Sequence, residues 1–356
     1  MPQNTVLTEN ELNRYSRQIR LPEIGRQGQT KIKESSVLVI GAGALGCAAL
    51  QYLAAAGVGT IGIVDNDWVD ESNLHRQVLY NVNDIGKPKP LAAIEKLELM
   101  NPEVTFKARF LRYNKESALK ITEPFDIIVD CSDNFATRYL INDACVILNK
   151  PLVYGEILKF TGQMMVLNYH NGPTLRCLCP DPPHPLEIPT CAETGVIGSI
   201  AGIIGAMQAT EVIKIILNKE GVLSGKLYSF DALNCTTHIV PFERDPEHSI
   251  VKELSEYQDL CLSEKDFVPE ITPDELKIML ANNPKLSIID LREKEEISDL
   301  GFESISIPYY EISEHIPQIL SMDFVVFYCT YGIRSMYVIN YFQNVHKKKN
   351  LFNLVL

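Results

Sequence analysis

The chain has 356 residues, which is enough for two domains, because a single hydrophobic core rarely extends beyond about 250–300 residues. Hydrophobic residues make up 46% and charged residues 22% of the sequence, as in soluble globular proteins, and the formal net charge of −12 argues against binding to a nucleic acid. The first 20 residues lack the apolar core of a secretory signal, so we expect a cytoplasmic protein whose nine cysteines are mostly free thiols.

Strand-like and helix-like stretches alternate from residue 37 to residue 131. This alternation predicts an α/β fold with a Rossmann-like sheet between helices, and such sheets bind ligands at the carboxyl ends of their strands. Two later stretches, residues 162–169 and 225–233, have the character of edge strands, and we expect a mixed sheet overall. The predicted strands of the alternating part are VLVIG (37–41), TIGIVD (60–65), VTFKARF (104–110) and FDIIVDC (125–131), and its predicted helices cover residues 44–57 and 89–100.

A glycine turn, Gly41-x-Gly43-x-x-Gly46, follows the first strand. Such a turn lets the backbone approach a phosphate and points the N-terminus of a helix at the negative charge. Asp65 ends the next strand, where an acidic residue accepts hydrogen bonds from ribose hydroxyls. Both features fit NAD as well as ATP, while the sequence has no Gly-x-x-x-x-Gly-Lys-Ser/Thr loop and so is not a P-loop ATPase. The turn predicts a nucleotide without identifying it.

Polar residues further along discriminate between these nucleotides. Asn73 and Arg76 follow the second strand, Lys89 lies in GKPK, and Asp133 and Asn134 follow the strand FDIIVDC. A hydride-transfer site needs an apolar nicotinamide pocket, whereas cationic side chains facing a carboxylate suit a polyphosphate with a magnesium ion. In the alternative interpretation, Arg76 and Lys89 are solvated surface charges and Asp133 caps a helix. The complete set favours ATP and Mg²⁺.

The longest apolar segment, residues 195–217, is long enough to be mistaken for a membrane span. It contains Gln208, Glu211 and Lys214, and its glycines and alanines suit close packing between helices. We therefore expect a buried core helix or a dimer helix, and no membrane partner.

Five motifs of this first part, RYSRQI, GAGALGC, DNDWVDESNLHRQ, GKPK and DCSDN, resemble in order the signatures of the MoeB/ThiF group, the bacterial relatives of ubiquitin-activating enzymes. The resemblance covers approximately residues 10–245. It implies a Rossmann-like homodimer that binds ATP and Mg²⁺ and adenylates the C-terminal glycine of a small ubiquitin-fold sulfur carrier ending in Gly-Gly. The destination of the sulfur stays open among molybdopterin, thiamine, tRNA thiolation and a peptide natural product.

The same resemblance implies roles for individual residues. Asp65 would hold the ribose, Asp133 would hold the magnesium ion, and Arg17 of RYSRQI would reach the partner subunit's site as an arginine finger. Cys191 matches a cysteine that attacks the acyl-adenylate or forms a persulfide-linked intermediate, although an isolated cysteine is more often a small buried hydrophobe. Asn73, Arg76 and Lys89 would bind the phosphates. The other residues expected at the nucleotide are Gly41, Gly43, Gly46, Asp67 and Asn134.

One departure from the family concerns a structural zinc ion, which members usually bind through two Cys-x-x-Cys pairs. At the first pair this chain reads PTLRCLCP, so Thr174 replaces one ligand and Cys177 alone matches. At the second pair it reads RDPEHSIVKEL and offers only His248. An irregular site from Cys177, Cys179, His248 and Cys261 would have untypical spacing, and we expect no zinc.

A charged segment, residues 241–259, marks the end of the first part. We place an adenylation domain at residues 1–248, a linker at 249–268 and a small α/β domain at 269–356. The first helix of the small domain is predicted to start at Thr272, because a proline follows it and a glutamate stands three positions later, as in a capping box.

In the small domain, the strand DFVVFYC ends in Cys329 and a loop then leads through Gly332 to Arg334. Backbone N–H groups and the positive end of the following helix favour a thiolate here, and a buried core cysteine is the alternative. With the motif IIDLRE, this part resembles a rhodanese domain. Four residues separate Cys329 from Arg334, which suits a terminal sulfur, whereas related phosphatases have five. The sequence ends at NLFNLVL, without the glycine turn and helix usual in this domain.

The two resemblances together imply one mechanism. ATP activates the carrier carboxylate as an acyl-AMP, and a persulfide on Cys329, supplied by a donor such as a cysteine desulfurase, attacks it to give a thiocarboxylate. Two alternatives stay open. One is an NAD-dependent oxidoreductase, favoured only by the glycine turn and Asp65, and the other is an adenylating enzyme whose second domain only docks the carrier.

Overall fold

The structure is a computed structural model in which the chain forms two compact units. The first unit holds the described residues up to 255, and the second holds those from 268 onward. Each unit has its own sheet and its own hydrophobic core. The described residues are 6–182, 195–255, 268–293, 296, 301–330 and 332–355.

The first unit is built on an eight-stranded sheet. Its strands are β1 (Ser36–Ile40), β2 (Thr60–Asp65), β3 (Thr105–Phe110), β4 (Ile127–Asp130), β5 (Leu152–Leu158), β6 (Thr161–Leu167), β7 (Lys226–Asp231) and β8 (Thr236–Pro241). They lie in the order β3-β2-β1-β4-β5-β6-β7-β8, with the pairs from β3 to β5 parallel and the pairs from β5 to β8 antiparallel. This is the predicted α/β fold with a mixed sheet.

Helices cover both faces of this sheet. They are α1 (Glu9–Arg14), α2 (Ser16–Ile19), α3 (Gly25–Glu34), α4 (Ala44–Ala56), α5 (Lys89–Met100), α6 (Lys115–Thr122), α7 (Phe135–Ile147), α8 (Leu175–Leu178) and α9 (Gly198–Ile216). One core lies under α4, α5 and α9, and the other lies under α6 and α7. Val37 and Val39 of β1 enter the first core, and Leu38 and Ile40 enter the second, because successive strand residues point to opposite faces. Burial on both faces explains the apolar run in VLVIG.

The antiparallel part of the sheet differs from the sequence prediction in one respect. β6 and β7 confirm the strands expected in residues 162–169 and 225–233, but the expectation that they are edge strands is wrong. β8 forms the edge, and all six of its residues are exposed. Its sequence, TTHIVP, has no buried face and therefore lacks the alternating pattern by which a half-buried strand is predicted.

α9 is the apolar segment that could be mistaken for a membrane span. Among the described residues it is the one helix long and apolar enough for that, and 44% of its most apolar window is buried. Its inner face packs on α4, β5 and β6 and includes Ile200, Ile204, Gln208 and Glu211. Glu211 pairs with Lys214 on the same helix and accepts a hydrogen bond from the backbone N–H of Leu223. The polar residues are thus satisfied inside a protein core, as predicted for a core helix.

The second unit has a five-stranded parallel sheet with the order β11-β10-β12-β13-β9, made of β9 (Glu270–Ile271), β10 (Leu286–Asp290), β11 (Ile305–Ser306), β12 (Phe324–Tyr328) and β13 (Leu351–Leu354). Its helices are α10 (Pro273–Asn282), α11 (Ile316–Ser321) and α12 (Ile333–Asn344). The capping box predicted at Thr272 is confirmed, because its hydroxyl accepts from the N–H of Glu275 and the Glu275 carboxylate accepts from Thr272. The unit is a small α/β sheet domain.

Candidate nucleotide and thiol sites

The carboxyl ends of three parallel strands form one edge of the first sheet. β1 pairs with β2 on one side and with β4 on the other, so the turns that follow these strands are neighbours. They carry the glycine turn, Asp65 and Asp133. Parallel α/β sheets bind ligands at this edge. The topology therefore brings three predicted nucleotide elements to one place.

The glycine turn packs directly on the backbone that follows β4. Gly41 has a φ of 95°, and a side chain there would clash with the carbonyl group of Cys131. A side chain at Gly46 would clash in turn with the carbonyl group of Gly41. Gly43 begins α4 without a side-chain cap, so the first N–H groups of this 13-residue helix are available to an anion. The turn has the geometry that a phosphate requires.

Asp65 braces the glycine turn. One carboxylate oxygen accepts from the backbone N–H of Ala42 at 2.7 Å, and the other accepts from the N–H of Asp67 at 2.7 Å. Burial raises the pKa of Asp65, although Lys89 and these two N–H groups act in the opposite direction. Lys89 is itself buried, and its Nζ lies 2.9 Å from an Asp67 oxygen. Asp65, Asp67 and Lys89 therefore form one charged cluster beneath the turn.

A short 3₁₀ turn, Glu71–Asn73, organises the next group of polar residues. The Asn73 side-chain oxygen accepts from the Arg76 guanidinium at 3.1 Å and from the Gln77 amide at 2.9 Å. Gln77 is buried, and its Oε1 has no hydrogen-bond partner among the described residues. Its Nε2 lies 3.7 Å from the position that a Cβ at Gly43 would occupy. Gln77, which the sequence did not single out, is thus directed at the glycine turn.

The loop after β4 presents Asp133 to solvent. Asn134, and not Asp133, caps α7, because its side-chain oxygen accepts from the N–H of Thr137 at 2.8 Å. The alternative interpretation of Asp133 as a helix cap is therefore wrong. The Asn134 amide lies 3.4 Å from an Asp133 oxygen, and the Asp133 carboxylate is exposed. An exposed carboxylate on a fixed loop is suited to bind a cation.

Two side chains hold the backbone next to Asp133. Ser132 donates to Asp130 Oδ1 through its N–H at 2.9 Å and through its hydroxyl at 2.6 Å. The Arg138 guanidinium donates to the carbonyl oxygen of Ser132 at 3.3 Å. Both Asp130 and Arg138 are buried. Ser132, the residue before Asp133, is thus held both at its N–H group and at its carbonyl oxygen.

Arg138 is the centre of a buried polar network. Its guanidinium donates to the Tyr154 hydroxyl at 2.7 Å and lies 2.8 Å from the Glu156 carboxylate. Burial raises the pKa of Asp130 to about 6, while the Arg138 charge acts in the opposite direction. Burial would also raise the pKa of Glu156, but Arg138 and the Tyr154 hydroxyl together hold it below its usual value. Neither a local motif nor an amphipathic pattern signals this network, since its members face inward from α7, β4 and β5.

α9 supports the same loop from the sheet face. Gln208 is fully buried and donates to the Asp130 carbonyl oxygen at 2.7 Å. The Cys131 thiol donates to the Gln208 side-chain oxygen at 3.5 Å. Burial raises the pKa of the Cys131 thiol well above its usual value, so this sulfur acts as a neutral donor. The sequence marked Gln208 only as a polar interruption of an apolar helix.

The roles predicted for Arg17 and Cys191 gain no contact in this cluster. Arg17 is exposed on α2, and among the described residues no hydrogen bond or ion pair joins it to the nucleotide cluster. Cys191 lies outside the described residues. The structure therefore does not place either residue in the candidate nucleotide site.

Hydrogen bonds join the two segments in which the family resemblance implies zinc ligands. The Cys177 sulfur accepts from the N–H groups of Thr174 and Asp245, both at 3.3 Å. His248 Nδ1 lies 2.8 Å from an Asp245 carboxylate oxygen, and this contact raises the pKa of His248 and lowers that of Asp245. Arg244 donates to the carbonyl oxygen of Gly172 at 2.7 Å. Hydrogen bonds between protein groups thus join the two segments.

The second candidate site surrounds Cys329 in the second unit. Cys329 follows β12 and is only 3% exposed. Its sulfur lies 3.3 Å from the hydroxyl of Ser335, in the first turn of α12. The Ser335 hydroxyl also lies 2.6 Å from the side-chain oxygen of Asn353, on β13. A strand end, a helix start and a neighbouring strand thus meet at the sulfur.

The loop arginine predicted at this site is already paired. Arg334 donates to both carboxylate oxygens of Glu296, at 2.7 and 2.6 Å, and these hydrogen bonds lower the pKa of Glu296. Arg292 makes a similar bidentate contact with Asp290 at the end of β10. Each guanidinium is therefore paired with a carboxylate. The sequence analysis did not predict Glu296 as the partner of Arg334.

Known proteins match both the sequence and the fold. The ThiF family matches residues 15–250. A sulfur carrier protein adenylyltransferase of Thermus thermophilus is 45% identical over 265 residues, which are 71% of this chain and 98% of that protein. A probable adenylyltransferase/sulfurtransferase, MoeZ, of Mycobacterium tuberculosis is 39% identical over 345 residues, which are 93% of this chain and 88% of that protein. The second match extends across both units.

A solved structure confirms the architecture of the first unit. The crystal structure of E. coli MccB superposes with a TM-score of 0.61, covering 71% of this chain and 75% of that chain. The two sequences are 23% identical in the superposition, so the likeness concerns the fold alone.

The buried network predicts a pH-dependent effect of Arg138→Met. A methionine has no charge, and breaking a buried ion pair costs about 3 kcal/mol of unfolding free energy. The loss should be larger at pH 8 than at pH 5. Below about pH 6 Asp130 is protonated in the folded state and needs no nearby cation, whereas above that pH its buried charge does.

Urea unfolding followed by the fluorescence of Trp68, the single tryptophan, measures this difference in the first unit. Arg244→Met is the matched control, because Arg244 bonds a backbone carbonyl and no carboxylate of the network. Equal losses at both pH values for Arg138→Met would show that Arg138 does not act through Asp130.

Proposed function

This chain belongs to the ThiF family, and we propose that it is an adenylyltransferase and sulfurtransferase that activates the C-terminal carboxylate of a ubiquitin-like sulfur carrier and converts it to a thiocarboxylate. The match to a named adenylyltransferase/sulfurtransferase across 93% of the chain carries the proposal. The Thermus thermophilus relative, whose name specifies a sulfur carrier protein, supports the class of substrate. The glycine turn and the buried thiol supply one site for each half of the reaction.

The residues at the strand edge fit ATP. The uncapped start of α4 offers N–H groups to a phosphate, and the absence of a side chain at Gly41 lets the turn pack against the backbone after β4. We propose that Asp65 and Asp67 hold the ribose side and that Asn73, Arg76 and Lys89 bind the phosphates. Asp133, exposed beside Asn134, would hold Mg²⁺, which supplies positive charge against the phosphate oxygens. Gln77, with one buried and unpaired oxygen, extends this set.

The chemistry explains why cations and no general base are needed. A carboxylate oxygen of the carrier attacks the α-phosphorus of ATP, and the bond to pyrophosphate breaks. The carboxylate is already ionised at neutral pH, so no proton has to be removed. The barrier is repulsion between two anions, and each positioned donor contributes about 3 kcal/mol in the transition state. We propose that Arg76 and Lys89 have that role.

The adenylation half is tested by ATP–pyrophosphate exchange with a MoaD-like or ThiS-like carrier and with the same carrier lacking its last glycine. We expect exchange only with the intact tail. Arg76→Ala and Asp133→Asn should each lower the exchange rate by about 10²–10³-fold, because each removes charge stabilisation of the phosphates. Arg26→Ala, an exposed arginine of α3, is the control and should leave the rate unchanged. Tight NAD binding without any exchange would instead establish the oxidoreductase alternative.

We also propose a homodimer in which Arg17 completes the partner subunit's site. Arg17 is exposed on α2 and has no place in the nucleotide cluster of its own chain. The same unit exposes apolar side chains near α9 and on β8, including Ile203 at 39% and Ile239 at 58%. Exposed apolar surface of this kind marks protein interfaces. A second copy of the chain is the occupant proposed for it.

Subunit mixing tests this arrangement. Arg17→Ala and Arg76→Ala should each be inactive alone. Coexpressed in equal amounts, they should recover about one quarter of wild-type exchange, because half of the dimers are mixed and each mixed dimer has one intact site. Absence of any recovery would place Arg17 in its own subunit's site, and full activity of Arg17→Ala alone would place it outside catalysis.

We propose that the chain needs no structural zinc. Thr174 is not a typical zinc ligand. The Cys177 sulfur accepts hydrogen bonds from the backbone N–H groups of Thr174 and Asp245, and the Asp245 and His248 side chains bond to each other. Leu175 and Leu254 of the two segments share one hydrophobic core, which adds to this connection. Hydrogen bonds and apolar packing then hold the two segments together, which is the role that the family resemblance implies for the zinc ion.

For the second half, we propose that Cys329 carries a persulfide supplied by a cytoplasmic donor such as a cysteine desulfurase. The terminal sulfur attacks the acyl-AMP carbonyl and AMP leaves, giving an acyl disulfide on Cys329. A thiol, for which Cys191 is the candidate, then attacks the Cys329 sulfur, the S–S bond breaks and the thiocarboxylate leaves. The new disulfide between that thiol and Cys329 is reduced by a small external thiol before the next turnover. The position of Cys329 between a strand end and the start of a helix supports this assignment.

Thiosulfate:cyanide sulfurtransferase activity tests the thiol. The wild-type protein should form thiocyanate, and Cys329→Ala should abolish it, because no other residue of the loop has a sulfur to carry. Cys235→Ala, an exposed cysteine of the first unit, is the control and should keep full activity. Activity that survives Cys329→Ala, or is absent from the wild type while exchange is present, would favour a second domain that only docks the carrier.

A further inference from the structure

A neutral hydroxyl lies within hydrogen-bond distance of the Cys329 sulfur. Ser335 is fully buried, and its Oγ lies 3.3 Å from the sulfur. The titratable groups that act on this sulfur are Tyr328, which precedes it on β12, and Arg334 in the first turn of α12. The Arg334 charge is balanced by a bidentate pair with Glu296. The Ser335 hydroxyl is therefore in position to donate a hydrogen bond directly to the sulfur.

The surroundings of Ser335 allow its single proton to point in different directions. Its Oγ lies 3.0 Å from the Gly332 carbonyl oxygen and 2.6 Å from the Asn353 side-chain oxygen, besides the sulfur contact. A serine hydroxyl has one donor proton and two acceptor lone pairs. With a Cys329 thiol, the S–H donates to Oγ while the hydroxyl donates to Asn353. With a thiolate, the hydroxyl rotates and donates to sulfur, and no backbone movement is needed.

Asn353 fixes the position of Ser335. It is fully buried on β13, and its amide donates to the Gly332 carbonyl oxygen at 3.3 Å. Gly332 begins α12, so this contact ties the start of the helix to the neighbouring strand. Asn353 and Ser335 are 18 residues apart in the sequence and meet only because β13 pairs with β12. Asn353 therefore acts on the sulfur through Ser335.

We propose that Ser335 is the hydrogen-bond donor to the Cys329 sulfur whenever that sulfur carries negative charge, and that Asn353 is its positioning residue. The inference rests on the sulfur-carrying role proposed above. In loading, the Cys329 thiolate attacks the outer sulfur of thiosulfate, the S–S bond breaks, and its electron pair leaves with sulfite. In unloading, cyanide attacks the terminal sulfur, thiocyanate leaves, and the electron pair of the S–S bond returns to the Cys329 sulfur. The charge on that sulfur is thus present before loading and restored after unloading.

A hydroxyl donor has a measurable effect on the free thiol. A hydrogen bond to an ionised acceptor is stronger than one to its neutral form, so Ser335 favours the thiolate. Ser335→Ala should lower the alkylation rate of Cys329 by iodoacetamide at pH 7 by about tenfold, equivalent to one pKa unit. Ser335→Thr keeps the hydroxyl and should stay within about threefold of the wild type, while Asn353→Ala should fall between the two.

The measurement is peptide-resolved mass spectrometry of the full-length protein alkylated between pH 5 and pH 9. Cys235 provides an internal standard in every sample, because it is exposed and belongs to the first unit. Its rate should be identical in all variants. The midpoint of the Cys329 profile should move upward in Ser335→Ala and return in Ser335→Thr, a rescue that a merely structural role would not produce. Circular dichroism verifies that each variant is folded.

The two proposals fail in different ways. An unchanged Cys329 midpoint and unchanged thiocyanate formation in folded Ser335→Ala would overturn the inference while leaving the sulfurtransferase function standing. A shifted midpoint in a protein whose wild type forms no thiocyanate would support the hydrogen bond and overturn the sulfur-carrying role. A shifted midpoint together with slower thiocyanate formation supports both.

Discussion

The constraint on which the first unit depends is a contact between two stretches of backbone. The turn after β1 lies so close to the backbone after β4 that Gly41 leaves no room for a side chain beside the Cys131 carbonyl group. Because of this contact, the helix start that faces a phosphate and the loop that carries Asp133 cannot move independently. A substitution at Gly41 would therefore disturb both halves of the nucleotide site, although the residue has no side chain to contribute.

Buried polar side chains keep that arrangement rigid from below. Arg138 and Gln208 reach the same short loop from α7 and α9 and bond its carbonyl oxygens. A buried charge network is costly in stability, and replacing it by apolar residues is often neutral or better in other proteins. Here the network fixes the orientation of the backbone after β4, since each contact holds a particular peptide group. An exposed carboxylate such as Asp133 can bind a cation reproducibly only when its backbone is held in this way.

The sequence predicted the parts of this molecule whose signals are local. Each of these signals lies within a few adjacent residues, as in the alternation of strands and helices, the glycine turn, Asp65 and the capping box at Thr272. Residues that act across the chain have no such signal. Gln208 meets Asp130 across 78 positions, and Asn353 meets Ser335 through the pairing of β13 with β12. The edge strand β8 was missed for a different reason, because an edge strand exposed on both sides needs no apolar pattern.

The two units handle negative charge in different ways, and the chemistry explains why. A triphosphate carries several localised charges, so paired and buried cations such as Lys89, together with a helix start, are needed to approach it. The Cys329 sulfur carries at most one diffuse charge. A free guanidinium beside it would stabilise the thiolate strongly, but a thiolate of very low pKa is also a weaker nucleophile. Glu296 pairs with Arg334, and the Ser335 hydroxyl is left as the direct hydrogen-bond partner of the sulfur, an arrangement that suits the proposed role of a sulfur that both accepts and releases its cargo.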